Sequence, residues 1–381
     1  MAYVTKQNTK VFIKKESTEN IYAAPTTGTD ALQVIDIENK PSREMLERNV
    51  LGQGIGKIAP RVGGKSISGS LSLFMKAAST PTSVSESEVL LESLLGSKRS
   101  STSITSGSSH TTSVINVSST TNLHVGDTVI LKVAGAYHAS PIASLIANTS
   151  ITLAIPAASA PANGTVIEAF TTFVPTNSGH PSFSVSTYYE DAILEKAIGC
   201  KTSNLSVDGF ESEKQASFKF GFEGLNFDRL LSAPAYSPSF STSDTPLIVD
   251  ACIILDGVEQ NISKFTLSIE NKIGMLTNTC DGKFASRITE RLIKGSINPY
   301  MDTASVDFFT KFNTNTSFSL FISAHNPTAT TGEFKESVSF YLPNCKFTEL
   351  ALADSNGNLQ EALSFSVNTI NGEPEIYISL S

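Results

Sequence analysis

Two glycine-bearing runs invite a phosphate-binding reading: GQGIGK at 52–57 and GGKS at 63–66. A phosphate loop needs a glycine five residues ahead of the glycine in its G-K-[ST] end, then a helix whose free amides hold the anion. Ala59 stands at that spacing before Gly64-Lys65-Ser66, and the following SISGSLSLF alternates as a strand does. The glycines suit a hairpin tip instead. The five histidines, His110, His124, His138, His180 and His325, fall mostly in Ser/Thr-rich segments with no partner at metal spacing, and are expected in exposed loops. No G-x-S-x-G or H-E-x-x-H supports a hydrolytic site. The paired carboxylates Glu190-Asp191 close a predicted strand, where solvation is the simpler role. Cys200, Cys252, Cys280 and Cys345 form no C-x-x-C and read as buried thiols of a reducing compartment. No enzyme, cofactor or metal is expected.

What remains is charge. Arg43, Arg48, Lys57, Arg61 and Lys65 make 42–65 a basic, glycine-spaced stretch, and Lys272, Lys283, Arg287, Arg291 and Lys294 mark a second, with Asp281 and Glu290 interspersed. Either stretch is a solvated hairpin or an arm contacting another subunit, where paired charges fix register and partner choice. The arm reading takes Arg43, Arg48, Lys57, Arg61, Lys65, Lys283, Arg287, Arg291 and Lys294 as contact candidates. The chain as a whole opposes a nucleic-acid grip, which needs clustered cations: 28 Lys and Arg stand against 36 Asp and Glu, a net charge of −8.

The elements behind the arms are strands. With 381 residues, 40% of them hydrophobic, the chain has material for two or three cores. The N-terminus has no apolar segment of a secretory leader, and no run of eighteen apolar residues predicts a membrane helix. IENK occurs twice, at 37–40 and 269–272, and further matches follow in one order. Gly69-Ser70-Leu71 is echoed by Gly295-Ser296-Ile297, PSFSVSTYYE by TSFSLFISAH, Cys200-Lys201 by Cys345-Lys346, and Phe218 and Phe220 by Phe365 and Val367. Most of these runs alternate with period two, the mark of half-buried strands. Short helices are predicted after each Gly-Ser strand. SESEVLLESLLG has Ser85 and Glu88 at capping-box spacing, and DTASVDFFTKF offers Asp302 or Thr303 as cap and Val306, Phe308, Phe309 and Phe312 as buried side. The interval between the Gly-Ser and Cys-Lys pairs is much longer in the first copy, which places an inserted β module at 98–178. Asp127, Lys132 and Glu168 are its only charges within 101–180, as suits a neutral decoration. Ser/Pro-rich 232–246 reads as a linker between domains 1–231 and 247–381.

The order of strand, polar arm, Gly-Ser strand, short helix, strand, and Cys-Lys strand leading to a closing hairpin resembles the tail tube proteins of long-tailed bacteriophages. The final LPNCKFTELALADSNGNLQEALSFSVNTINGEPEIYISLS is especially similar. The resemblance implies a mainly β fold: two tandem tail-tube-like β-sandwich or barrel domains, each with a short helix, and the small all-β insertion in the first. It implies a virion tail protein assembled in the host cytoplasm, whose homotrimeric, pseudo-hexameric rings stack into a tube. Implied partners are other copies of itself and the tape measure, terminator and distal tail or baseplate proteins. DNA would pass through the lumen without specific binding, and no membrane is involved. The rivals are a secreted or surface β-sandwich adhesin or carbohydrate-binding module, and another phage tail part.

Overall fold

The computed structural model describes residues 5–48, 58–77, 85–168, 170–211, 214–241, 251–279, 282–302, 305–325, 337–355, 357–370 and 372–380. Among these residues the α-helices are Glu88–Leu95 (α1) and Ser305–Thr314 (α2), and nearly all else that is regular is antiparallel strand. The first half contributes Thr9–Lys15 (β1), Val34–Arg48 (β2), Ile58–Phe74 (β3), Gly96–Ser100 (β4), Thr171–Pro175 (β5), Phe183–Tyr189 (β6), Ile193–Asp208 (β7), Ser217–Gly224 (β8) and Asn226–Leu231 (β9). The second contributes Ala251–Leu255 (β10), Ile262–Asn278 (β11), Gly282–Pro299 (β12), Phe318–His325 (β13), Ser337–Ser355 (β14), Asn358–Val367 (β15) and Tyr377–Leu380 (β16). Among the described residues, hydrogen bonds join these sixteen strands and two two-residue strands, Ala31–Leu32 and Val258–Glu259, into one 18-stranded sheet, and a separate six-stranded sheet is built from strands between 104 and 167. GGKS lies inside β3, so no helix follows it.

The pairing pattern occurs twice. In the β2–β3 hairpin Asn39 faces Gly69, and across the next strand Phe222 faces the same glycine. In the β11–β12 hairpin Leu267 faces Gly295, which Phe365 faces in turn. A Cβ on Gly69 would overlap the Phe222 ring and the Glu38 carbonyl; on Gly295 it would overlap the Phe365 ring and the Thr266 carbonyl. Each glycine is thus the only residue that admits the ring. Phe183 faces Cys200 on β6–β7, and Phe318 faces Cys345 on β13–β14, each with an irregularity at the next pair. Both following strands bulge at the same place, between Thr202 and Asn204 and between Phe347 and Glu349.

These contacts correct the alignment of the two sequence copies. They match Glu38 with Thr266, so the two IENK tetrapeptides stand four residues out of step, and the partner of Phe365 is Phe222, not Phe218. A strand repeats every two residues, so a slip of four keeps every side chain on its face and the alternation cannot reveal it.

One apolar cluster runs through both halves and joins Leu71, Phe220 and Phe222 to Ile297, Phe340 and Phe365. The six-stranded module has its own cluster around Val129, Leu131 and Ile151. Several local expectations change. Phe308 is buried, but Phe309 is 56% exposed and Phe312 also faces solvent; Val306 and Thr303 lie outside the described side chains. Ser87 rather than Ser85 precedes α1, with no side-chain cap bond. Cys200 and Cys345 are buried, Cys252 is exposed, and Cys280 lies outside the described residues. His138 and His180 are not loop residues in water: ring nitrogens meet the Ile155 carbonyl at 3.0 Å and the Ser93 and Thr176 carbonyls at 3.0 and 3.1 Å. Burial pushes both imidazoles below their ordinary range.

Candidate assembly surfaces

The two hairpins that the sequence marks as arms differ in what they touch. On the first, Arg43 and Arg61 are exposed; the side chain of Arg48, and Lys57 altogether, lie outside what is described. Lys65 donates from Nζ to the Phe227 carbonyl at 3.3 Å and lies 5.3 Å from the centre of that ring. The same hairpin exposes Met45, Leu46 and Val62, each at least half open to solvent. Apolar residues this exposed on a protruding hairpin are out of place unless something covers them.

The second arm is folded down on the first half of its own chain. The Arg291 side chain is only 9% exposed. Its Nη2 donates to the Leu95 and Thr176 carbonyls at 3.4 and 3.3 Å, and Glu375 stands 3.8 Å from Nη1. Burial lowers the guanidinium's affinity for its proton, and Glu375 opposes that. Asn271 donates from Nδ2 to the Leu94 carbonyl at 2.8 Å. Both side chains therefore serve carbonyls that the end of α1 leaves without helical partners, where a cation is also favoured by the helix dipole. Nearby, Glu19 accepts from the Ser286 amide and hydroxyl at 2.7 and 2.6 Å and lies 3.2 Å from buried Lys201. Lys201 in turn donates to the Ser286 carbonyl. Lys294 and Arg287 are exposed, and Lys283 is partly covered beside Glu223, whose carboxyl burial pushes up. Of the seven sequence candidates whose side chains are described, Arg291 and Lys65 make part-buried contacts, and the Arg291 side chain is the one nearly closed off from solvent. Asn271, Ser286 and Glu19 carried no signal, because their partners lie far away in sequence.

The halves meet edge to edge. β7 pairs with β11 through Asn204↔Glu270, Leu205↔Ile269, Ser206↔Ser268 and Val207↔Leu267. Leu205, Val207, Leu267 and Ile269 are all essentially fully buried. At the other end of the chain β16 lies between β5 and β14, so the C-terminus ties both halves. The six-stranded module also leans on the second half: Ile130, Ala139 and Ile155 cluster with Phe321, and the Ser339 hydroxyl donates to Thr128 Oγ1 at 3.0 Å.

The described fold is mainly antiparallel strand, with long hairpins and open strand edges. The model of the phage tail tube protein family matches residues 6–369, and the chain belongs to that family. No curated protein matches the chain. Membership makes it a virion tail component of a structural rather than catalytic family, and sets aside the secreted adhesin reading. Among the described residues no helix is long and apolar enough to cross a membrane.

Proposed function

We propose that the chain polymerises as stacked trimeric, pseudo-hexameric rings that form the phage tail tube, a hollow conduit for DNA delivery into the bacterial host. The observation that carries this reading is the doubled pairing pattern, with Gly69 under Phe222 and Gly295 under Phe365. Two equivalent units per chain, 1–231 and 247–381 joined by 232–246, give six units from three chains; the module within 98–178 decorates the first. Rotation that closes makes a ring, and stacking rings makes a tube. Exposed strand edges, hazardous in a free monomer, are used up when a ring closes. The net charge of −8 suits a lumen that DNA crosses without sticking. Assembly takes place in the host cytoplasm, and tape measure, terminator and distal tail or baseplate proteins contact the tube. Negative-stain electron microscopy of purified protein tests the reading: hollow tubes or rings with threefold-related doubled lobes are expected, and uniform monomers at high concentration would overturn it.

A further inference from the structure

The edge that joins the two halves inside the chain has a counterpart that is vacant. Residues 204–207 of β7 pair with β11 on one side and β8 on the other. The bulge at Phe347/Glu349 makes 349–352 of β14 the matching stretch, and among the described residues it pairs on one side only, with β15. Leu205 and Val207 are fully buried; at the matching positions Leu350 is half-buried and Leu352 is 62% exposed. The strand that would cover them is equally evident. Gly69 and Gly295 align β2 with β11 so that Asn39, Lys40, Pro41 and Ser42 correspond to Leu267, Ser268, Ile269 and Glu270. Among the described residues β2 has one long-strand partner, β3, and its other edge is open.

We infer that this edge of β2 pairs antiparallel with 349–352 of a second copy of this chain, in the register Glu349↔Ser42, Leu350↔Pro41, Ala351↔Lys40 and Leu352↔Asn39. The inference rests on the ring reading above and supplies its chain-to-chain joint: within the ring, β7–β11 joints inside chains alternate with β14–β2 joints between them. The chemistry of the two edges agrees. Glu349 falls on the same face as Ser42 and Lys40, within reach of the lysine, a pairing that stabilises cross-strand neighbours. Pro41 has no N–H, which restricts it to an edge strand and weakens casual edge-to-edge pairing, so the joint depends on burying Leu350 and Leu352 together. The arms follow the same rule. Arg43 and Lys65 occupy the positions of Asn271 and Arg291, which serve the end of α1 within the chain. In the neighbour they face the end of α2, where Phe309 and Phe312 are exposed to receive Met45, Leu46 and Val62.

Cysteine crosslinking tests the register. In a Cys252→Ser, Cys280→Ser background, Lys40→Cys with Ala351→Cys is expected to give disulfide-linked dimers and trimers, and nothing larger, on mild oxidation of assembled protein. Lys40→Cys with Leu350→Cys, on opposite faces, is expected to give little. Leu352→Asp is expected to leave the thermal midpoint of the monomer unchanged and abolish assembly. Rings or tubes that form without the first crosslink, or that survive Leu352→Asp, would overturn this joint and leave the ring reading standing. Failure of the unsubstituted protein to assemble would overturn both.

Discussion

At the residue scale the molecule turns on two glycines. Neither Gly69 nor Gly295 has a positive φ; each is required because a phenylalanine ring and a backbone carbonyl occupy the space a Cβ would take. A carbonyl in a ladder cannot give way as a side chain can, so overpacking here costs about 1–3 kcal/mol. Gly69→Ala and Gly295→Ala are each expected to lower stability by about 2 kcal/mol in urea unfolding. Trimming the ring as well, with Phe222→Leu or Phe365→Leu, is expected to recover part of that loss. Gly224→Ala also crowds Ile67 and Cys200, and so is no clean control. The Gly-Ser and Cys-Lys pairs were legible in the sequence because small or sulfur-bearing residues in an alternating strand are conspicuous. The four-residue slip of IENK was not, because any even shift preserves the pattern.

At the element scale the informative contrast is between two hairpins of similar sequence and different surroundings. Composition marked both as basic stretches, each a solvated hairpin or a contact arm. It could not show that the second is docked, since Asn271, Ser286 and Arg291 meet groups supplied by distant segments, Leu94, Glu19 and Leu95. Lys201 is buried and has Glu19 as its carboxylate, so removing the acid leaves a buried charge without its partner. Glu19→Ala is expected to destabilise by on the order of 3 kcal/mol, and Lys201→Met with Glu19→Gln by clearly less, because the second change leaves no unpaired charge buried. Chemical denaturation with a double-mutant cycle checks this; equal losses would show that packing, not charge, holds the second arm. Among its described residues the first arm makes few such contacts. Deleting 42–64 is therefore expected to leave a soluble, folded protein that no longer polymerises, read by circular dichroism beside electron microscopy. Unchanged tubes would remove the first arm from assembly.

At the scale of the whole molecule the question is what the six-stranded module contributes. Its ends lie together: the Ser101 amide donates to the Phe170 carbonyl at 3.0 Å, and the Phe170 amide to Ser101 Oγ at 3.0 Å. Residues on either side, Ser100 and Thr171, already pair in the large sheet. A module that leaves and re-enters at one point can be excised without breaking the sheet, since closing a two-residue gap costs little loop entropy. Yet it is more than a neutral decoration, because it covers Phe321 with Ile130, Ala139 and Ile155 and so braces one half against the other. Replacing 102–169 by Gly-Gly is thus expected to preserve the fold and to expose one aromatic patch, at a cost of about 2–3 kcal/mol for the ring returned to water. Phe321→Thr in the excised chain is expected to restore solubility without restoring that stability. If the joints between chains are those of 349–352 and β2, at the opposite end of β14 from Ser339, which meets the module, the excised protein still assembles, and its tubes are thinner on the outside with an unchanged lumen, as two-dimensional class averages would measure. Folded excised protein that forms no tubes would place the module in the contacts that build them.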